Sequence, residues 1–324
     1  MKPKLILLNI LIINIILTSC TNKPKNEVLK AKFPDGKAIL EYKTKSLLGE
    51  GAFWNHITNE LYWVDIEGKK LHIYDPETKI NRTFLMPSRI GTVTPKDKNN
   101  AIVALENGIY NMNIETETLN LLSNIEEDKP YNRFNDGKCD PSGRLWVGSM
   151  NFDTQTKSAA LYMIDSIGKA VKKLDSVAIS NGIVWTSDKK TMYYIDTPLQ
   201  TIRAFDYDDQ TGNISNDRIA VIVNDTLGSP DGMAIDENDE LWVGLWNGSA
   251  VGHFDPKTGK LIKKIHVPAQ NVTSCAFGGK NLDTLYITTA SLGTSKDNEL
   301  AYPNAGSIFK YVPGVKGVKS ALFK

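Results

Sequence analysis

The strongest constraint on this chain is a repeat. Short β-rich runs, bounded by Gly, Pro, Asn and Asp clusters, recur in units that begin at Gly49, Gly91, Asn135, Asn181, Pro230 and Thr273, spaced 42, 44, 46, 49 and 43 residues apart. A unit of that size with several strands cannot bury its own apolar face, so neighbours must cover one another, and the period is the sequence mark of a β-propeller. The third and fifth units align almost residue by residue: Asn135-Asp136-Gly137 with Pro230-Asp231-Gly232, and Leu145-Trp146-Val147-Gly148 with Leu241-Trp242-Val243-Gly244. After the opening strand comes a Trp- or Tyr-rich second strand, as at residues 61–65, 145–148, 192–196, 241–244 and 285–288, then a third such as residues 70–76 or 250–256, then a weaker fourth. Helical periodicity is scarce after residue 38. A length of 324 residues would suit two domains, but all-β chains often use it for one. The expectation is therefore an all-β, six-bladed β-propeller with four-stranded blades over residues 38–324, closed by a strand near residues 38–43. Asp-Pro-x-Thr at 75–78 and 255–258 predicts turns between outer strands.

The repeat also carries chemistry. Gly49-Glu50-Gly51, Asn135-Asp136-Gly137, Asn181-Gly182 and Pro230-Asp231-Gly232 each set a metal-ligand type of residue beside a glycine, at steps of 85, 46 and 50. The first strand of a propeller blade lines the central channel, so residues at its start gather at one mouth. Any one of these pairs alone would be read as a turn; four in register outweigh that reading. Two carboxylates and two amides suit a hard divalent cation, Ca²⁺, Mg²⁺ or Mn²⁺, and do not exclude Zn²⁺. Thr92 and Thr273 stand at comparable places and are poorer ligands. The four histidines (His56, His72, His253, His266) have no zinc-site spacing, and no Gly-x-Ser-x-Gly elbow or phosphate-binding glycine loop is present. The six tryptophans are expected in the core between blades, with Trp54 and Trp246 the two near enough to the mouth to touch a ligand.

Longer stretches around these residues resemble a known family, the gluconolactonase and regucalcin-like proteins, also called the senescence marker protein family. The marks are Leu48-Gly49-Glu50-Gly51-Ala52-Phe53-Trp54, Arg133-Phe134-Asn135-Asp136-Gly137-Lys138-Cys139-Asp140-Pro141, Ser180-Asn181-Gly182-Ile183, Ser229-Pro230-Asp231-Gly232-Met233, Thr273-Ser274-Cys275-Ala276-Phe277-Gly278-Gly279 and Asn304-Ala305-Gly306-Ser307-Ile308-Phe309. The resemblance runs from about residue 46 to 318 and implies a six-bladed propeller with one divalent cation in the channel. It carries the metal ligands to Glu50, Asn181 and Asp231, and the substrate contacts to Arg133 and Asn135. The activity it implies is opening of a small sugar lactone, with carbonyl polarisation by the cation and attack of an activated water. Asp231 is the candidate general base, with Glu50 as the second carboxylate. Arg133 can hold the oxyanion or substrate hydroxyls. The alternatives are a non-catalytic metal- or calcium-binding propeller and a hydrolase of a different small ester. Ala52 stands where the family often has proline. The segment 151–160, with Asp153 and Lys157, lacks the acidic residue some members place over the mouth.

The N-terminus is different in kind. Lys2 and Lys4 precede an apolar run from Leu5 to Leu17, broken by Asn9 and Asn14, and Leu17-Thr18-Ser19-Cys20 follows. Its 13 residues fall short of the ~20 that span a bilayer and fit the core of a secretory signal. The ending resembles the lipobox of bacterial lipoproteins, whose cysteine is lipidated. The expectation is a lipoprotein signal peptide over 1–19, a polar tether over 20–37, and a monomer on the periplasmic side of a membrane or the cell surface. Cys20 would then be its only membrane attachment. Without residues 1–19 the chain has 36 basic and 37 acidic residues, so nothing asks for nucleic acid as a partner. Cys139 and Cys275 lie three units apart, on opposite sides of a six-fold ring. A disulfide needs Cα atoms within about 7 Å, so both are expected as free, buried thiols. In a bacterial host, labelled palmitate should enter the wild-type chain and not Cys20→Ala; label in both would sink the lipoprotein reading.

Overall fold

The computed structural model of the protein describes residues 36–294 and 296–324. The expected signal peptide, Cys20 and all but the last two residues of the expected tether lie outside the described residues.

Six antiparallel sheets follow one another along the chain. Their first strands are Gly49–Asn55, Ile90–Pro95, Asn132–Cys139, Ser180–Trp185, Ser229–Ile235 and Asn271–Gly278. Each touches the first strands of both neighbouring sheets, in a closed cycle, so these six strands line the channel. Blade six takes its outer strand from the other end of the chain: Ile39–Tyr42 pairs antiparallel with Ile308–Tyr311. The blades are four-stranded as expected, except the fifth. There Gly36–Lys37 adds a parallel fifth strand to Lys260–His266, so the ring begins two residues before residue 38.

The core is distributed between blades. Six apolar clusters fill the six interfaces, from Phe53, Tyr62 and Val64 against Val93, Val103 and Met112 between blades one and two, round to Trp63 and Tyr74 against Tyr286 and Ile308 between blades one and six. Trp63, Trp146 and Trp242 stand on second strands and are fully buried. Their size lets one residue per blade fill much of an interface. Two of these tryptophans are held by a shared device. Asp140 Oδ2 accepts from Trp146 Nε1 at 2.9 Å and from Arg144 Nε at 2.7 Å. In blade five Asp236 Oδ2 accepts from Trp242 Nε1 at 2.9 Å, and His253 stacks on Trp242 with its Nε2 2.8 Å from Glu240 Oε2. Asp236, Glu240 and His253 are close enough to hold a metal. The matching place in blade three carries the cation of Arg144, and Asp236 already accepts hydrogen bonds at both oxygens, so the cluster reads as a turn lock.

The outer turns follow their sequence. Asp75 accepts from Glu77 N at 2.8 Å and Thr78 Oγ1 at 2.7 Å, and Asp255 does the same with Lys257 and Thr258. Cys139 and Cys275 are both free and buried, as expected.

The sequence did not announce the path of the last residues. After Tyr311 the chain crosses the channel at the end opposite the strand starts. It bonds to blades six, five, two and three in turn, through Gly317 N to Leu282 O, Val318 N to Ile235 O, Phe323 N to Pro95 O and Lys324 N to Gly143 O. Phe323 is 2% exposed among Ile102, Phe134, Leu145 and Ile164. Phe323→Ala should lower the unfolding free energy by about 3–5 kcal/mol in urea denaturation; a loss under about 1 kcal/mol, the range of a surface change, would mean the strap is not anchored there.

Candidate active site

The ladder between first and second strands breaks at the same level in every blade. Pairing jumps from Glu50 to Phe53, Ile90 to Thr92, Phe134 to Gly137, Ser180 to Ile183, Pro230 to Met233 and Val272 to Cys275. In blades three to six two residues therefore oppose one: Asn135 with Asp136, Asn181 with Gly182, Asp231 with Gly232, and Thr273 with Ser274. A bulge releases backbone from the ladder and re-aims the side chains it carries. Glu50 is not at the equivalent position, which Gly51 fills at φ 59°; the longer Glu50 side chain comes from one residue earlier. Neighbouring strands are tightly crowded at this level. A Cβ on Gly182 would lie 2.8 Å from Asp231 O, closer than a side chain can be accommodated, which explains the glycine after Asn181.

Arg133, Asn135, Asn181, Asp231 and Glu50 are all buried here, between 5% and 6% exposed. Four of the five expected site residues lie along one hydrogen-bonded chain or beside it. Arg133 Nη1 donates to Asn135 Oδ1 at 2.6 Å and to Phe134 O at 3.0 Å. Asn135 Nδ2 donates to Ser180 O at 2.7 Å and Asn181 Oδ1 at 3.0 Å. Asn181 Nδ2 donates to Thr197 Oγ1 at 2.8 Å, which donates to Pro230 O at 2.8 Å, next to Asp231. A guanidinium can only donate, so it fixes Asn135 with its oxygen toward Arg133. That fixes Asn181 in turn, with Oδ1 toward Asn135 and one lone pair free. Both N–H groups of Asn135 are used inside the protein, so toward a substrate it keeps only an acceptor.

The charges are concentrated and incompletely paired. Glu50 and Asp231 lie within hydrogen-bonding reach of each other, and Glu50 also accepts from Gly51 N at 3.0 Å. Burial first, and then the repulsion of neighbouring carboxylates, raises both above the usual carboxylate range, Glu50 to about 8. Asp136 contributes to both shifts and is itself raised by burial. Asp231 Oδ1 is buried with no hydrogen-bond partner among the described residues. An orphaned carboxylate oxygen is costly to bury. Together with the Glu50 carboxyl and the free lone pair of Asn181 it forms a set of hard oxygens that fits a divalent cation. Burial draws Arg133 down to about 10, so it remains a cation at neutral pH.

Other expected residues divide. Thr92 Oγ1 donates to Gly137 O at 3.1 Å and Thr273 Oγ1 to Gly49 O at 2.5 Å, so both hydroxyls tie neighbouring blades together. Trp246 pairs with Ser229 at the mouth and is half-buried. Trp54 corrects the expectation. It is at the far end of its strand, 3% exposed and stacked on Tyr286 at 5.4 Å, because alternation from the bulge turns it into the interface with blade six. Asp153 is spent on its own turn with Gln155 and Thr156. The residue of segment 151–160 that faces the rim is Phe152, 46% exposed, with the Arg89 guanidinium 5.3 Å from its ring centre. Arg89 is held by Glu67 at 2.8 Å and Glu106 at 2.7 Å; Arg89, Glu106 and Phe152 border a hollow of about 360 Å³. Asp136 was missed because strict alternation sends it away from Asn135; the doubled residue that keeps both inside is a property of the ladder.

A closed six-bladed ring with buried carboxylates, amides and one guanidinium at a single mouth defines the class: a propeller with a polar, charged centre at one end of its channel. Residues 48–291 match the SMP-30/Gluconolactonase/LRE-like region, and the chain belongs to that family. It is 42% identical over 272 residues to the Bacillus subtilis protein named "Putative sugar lactone lactonase YvrE", covering 84% of this chain and 93% of that one. Regucalcin of Xenopus laevis is 37% identical over 282 residues, 85% of this chain and 94% of its own. Among solved structures, a calcium-binding regucalcin from Agrobacterium tumefaciens superposes with a TM-score of 0.86 at 26% identity, over 90% of this chain and 98% of that one.

The raised carboxyls set a pH dependence. The folded, metal-free protein keeps protons on Glu50 and Asp231 that the unfolded chain releases at the ordinary carboxylate pKa of about 4. That stabilisation is complete below this pKa and is lost as pH rises toward about 8. Calorimetry of the metal-free protein should show Tm falling between pH 5 and 8, and falling less in Glu50→Gln. Added Ca²⁺ or Mg²⁺ should raise Tm more at pH 8 than at pH 5, because cation and protons compete; equal shifts at the two pH values would remove these carboxyls from the ligand set.

Proposed function

We propose that this chain is a lactonase that opens a small sugar lactone with the help of one divalent cation held by Glu50, Asn181 and Asp231. The observation that carries the reading is Asp231: a buried carboxylate with one unpartnered oxygen, beside a second carboxyl and two rigidly oriented amides. When bound, the cation supplies Lewis-acid polarisation of the lactone carbonyl and acidifies water. The protein's own groups do the rest. Arg133 spends Nη1 on Asn135 and Phe134, leaving Nε and Nη2 to meet substrate hydroxyls or the oxygen that gains charge as water adds. Asn135 locks that guanidinium and accepts one further hydrogen bond. Asp231 takes a proton from the attacking water as its oxygen bonds to the carbonyl carbon. The ring C–O bond then breaks, the leaving oxygen takes that proton, and the product is a hydroxy acid that ionises at neutral pH. Phe152 and Trp246 give the rim two apolar faces against which a sugar ring can lie. The relatives' names, a sugar lactone lactonase and regucalcins, support this reading. The N-terminal signal and Cys20 would place the activity outside the cytoplasm.

A panel of aldono-lactones assayed with Ca²⁺, Mg²⁺, Mn²⁺ and Zn²⁺ tests it. Metal-dependent turnover is expected. Asp231→Ala should lower kcat/KM by roughly 10²–10⁴-fold, and Arg133→Gln by roughly 10²–10³-fold with the metal-induced rise in Tm retained. No turnover from a wild type whose Tm still rises with metal would make the protein a binding propeller.

A further inference from the structure

The opposite end of the channel holds a cavity of about 200 Å³ that the reaction at the mouth does not use. Its walls include the ends of four inner strands: Cys139, Trp185 and Ile235, each the last residue of its strand, and Phe277, the last but one. Residues 318–321 of the C-terminal strap close one side. Ile235 lies four residue steps along the strand from Asp231, as Cys139 does from Asn135, so ~13 Å of strand lies between the two sites.

The charge on this cavity is one-sided. Lys138, Lys189 and Lys319 line it; the nearby carboxylates stand behind the lining, Asp136 beside Lys138, Asp188 occupied by Thr186 and Asp239 by Ser187. Lys189 and Lys319 are exposed; Lys189 has a loose contact with Asp209 at 3.4 Å, and the charge of Lys319 reaches as far as His56. Lys138 is the inner one. Its Nζ crosses from blade three to donate to Met233 O of blade five at 2.9 Å, leaving donors without a protein partner. Three ammonium groups on the lining, with the carboxylates turned to hydrogen bonds behind it, favour an anion. Between the lysines the surface is apolar: Ala234, Ile235, Ala276, Phe277 and Trp185. A polyhydroxylated sugar acid would strand its hydroxyls against that surface, whereas an aromatic or short aliphatic body would gain by covering it.

We infer that this cavity is a second binding site, for a small organic monocarboxylate with an apolar body, its charged end toward the lysines and its body on Trp185 and Phe277. It takes a different class of molecule from the mouth and stands independently of the lactonase reading. The size allows an anion such as benzoate or hexanoate; inorganic phosphate carries the charge without the body.

Calorimetric titration of the metal-loaded full chain with benzoate and with hexanoate tests this. Saturable one-to-one binding is expected, with inorganic phosphate at least tenfold weaker. Lys189→Gln combined with Lys319→Gln should weaken benzoate by roughly tenfold or more, as loss of charge-assisted contacts does, while Tm and lactone turnover stay as in wild type. Asp231→Asn should bind benzoate as wild type does. Absence of saturation by about 10 mM, weaker than millimolar specific binding, would overturn the site. So would phosphate binding as well as benzoate, or binding lost in Asp231→Asn and kept in the double variant, which would place the anion at the mouth.

Discussion

Polar side chains can crowd the centre of a ring of sheets only where the backbone there is released from pairing. Each inner strand opens its ladder at the same level, and the released residues carry Asn135, Asp136, Asn181 and Asp231 inward. The glycines at Gly182 and Gly232 follow from the same constraint, because the opened strands lie against one another with no room for a Cβ. The apolar clusters between blades keep six separate sheets in the one arrangement in which those openings face a common axis.

Within that opening the carboxylates and the amides do different work. Glu50, Asp136 and Asp231 bring carboxyls into a buried volume where Lys138 acts on Asp136 and Arg133 on Glu50; Arg133 makes no ion pair with them among the described residues and instead holds Asn135. The amides convert the direction of one guanidinium into the direction of Asn181 Oδ1, two side chains away. Removing Asn135 would therefore loosen a prospective ligand as well as a substrate contact. Site geometry here is set by a relay of hydrogen bonds anchored to Thr197 and the backbone of blades four and five.

Much of this was legible in the sequence. The period fixed six blades because every unit repeats a turn and a start marked by a small or polar residue, and all but the second add a Trp- or Tyr-rich strand, and packing then permits little else. Glu50, Asn181 and Asp231 were legible because each sits beside a glycine that the crowding demands. Trp54 was misplaced and Asp136 overlooked for one reason: a bulge shifts alternation by one residue, and no residue type announces it. The Arg89–Glu67–Glu106 group with Phe152 draws on blades one, two and three, so only the closed ring brings it together. The strap after Tyr311 has no periodic pattern; its path is decided by where Phe323 finds an apolar hole.

The pairing of Ile39–Tyr42 with Ile308–Tyr311 has a consequence for the order of events during synthesis. Thr44 N and its partner Ser307 Oγ are 263 residues apart, so a strand made among the first waits for one made among the last. Until then blade six lacks its outer strand, and the early strand has no partner in the sheet it belongs to. Long-range pairing of this kind delays folding and leaves strand edges exposed meanwhile. For the exported chain proposed above, that delay would be a gain: the ring cannot lock while either of its ends is still on the far side of the membrane.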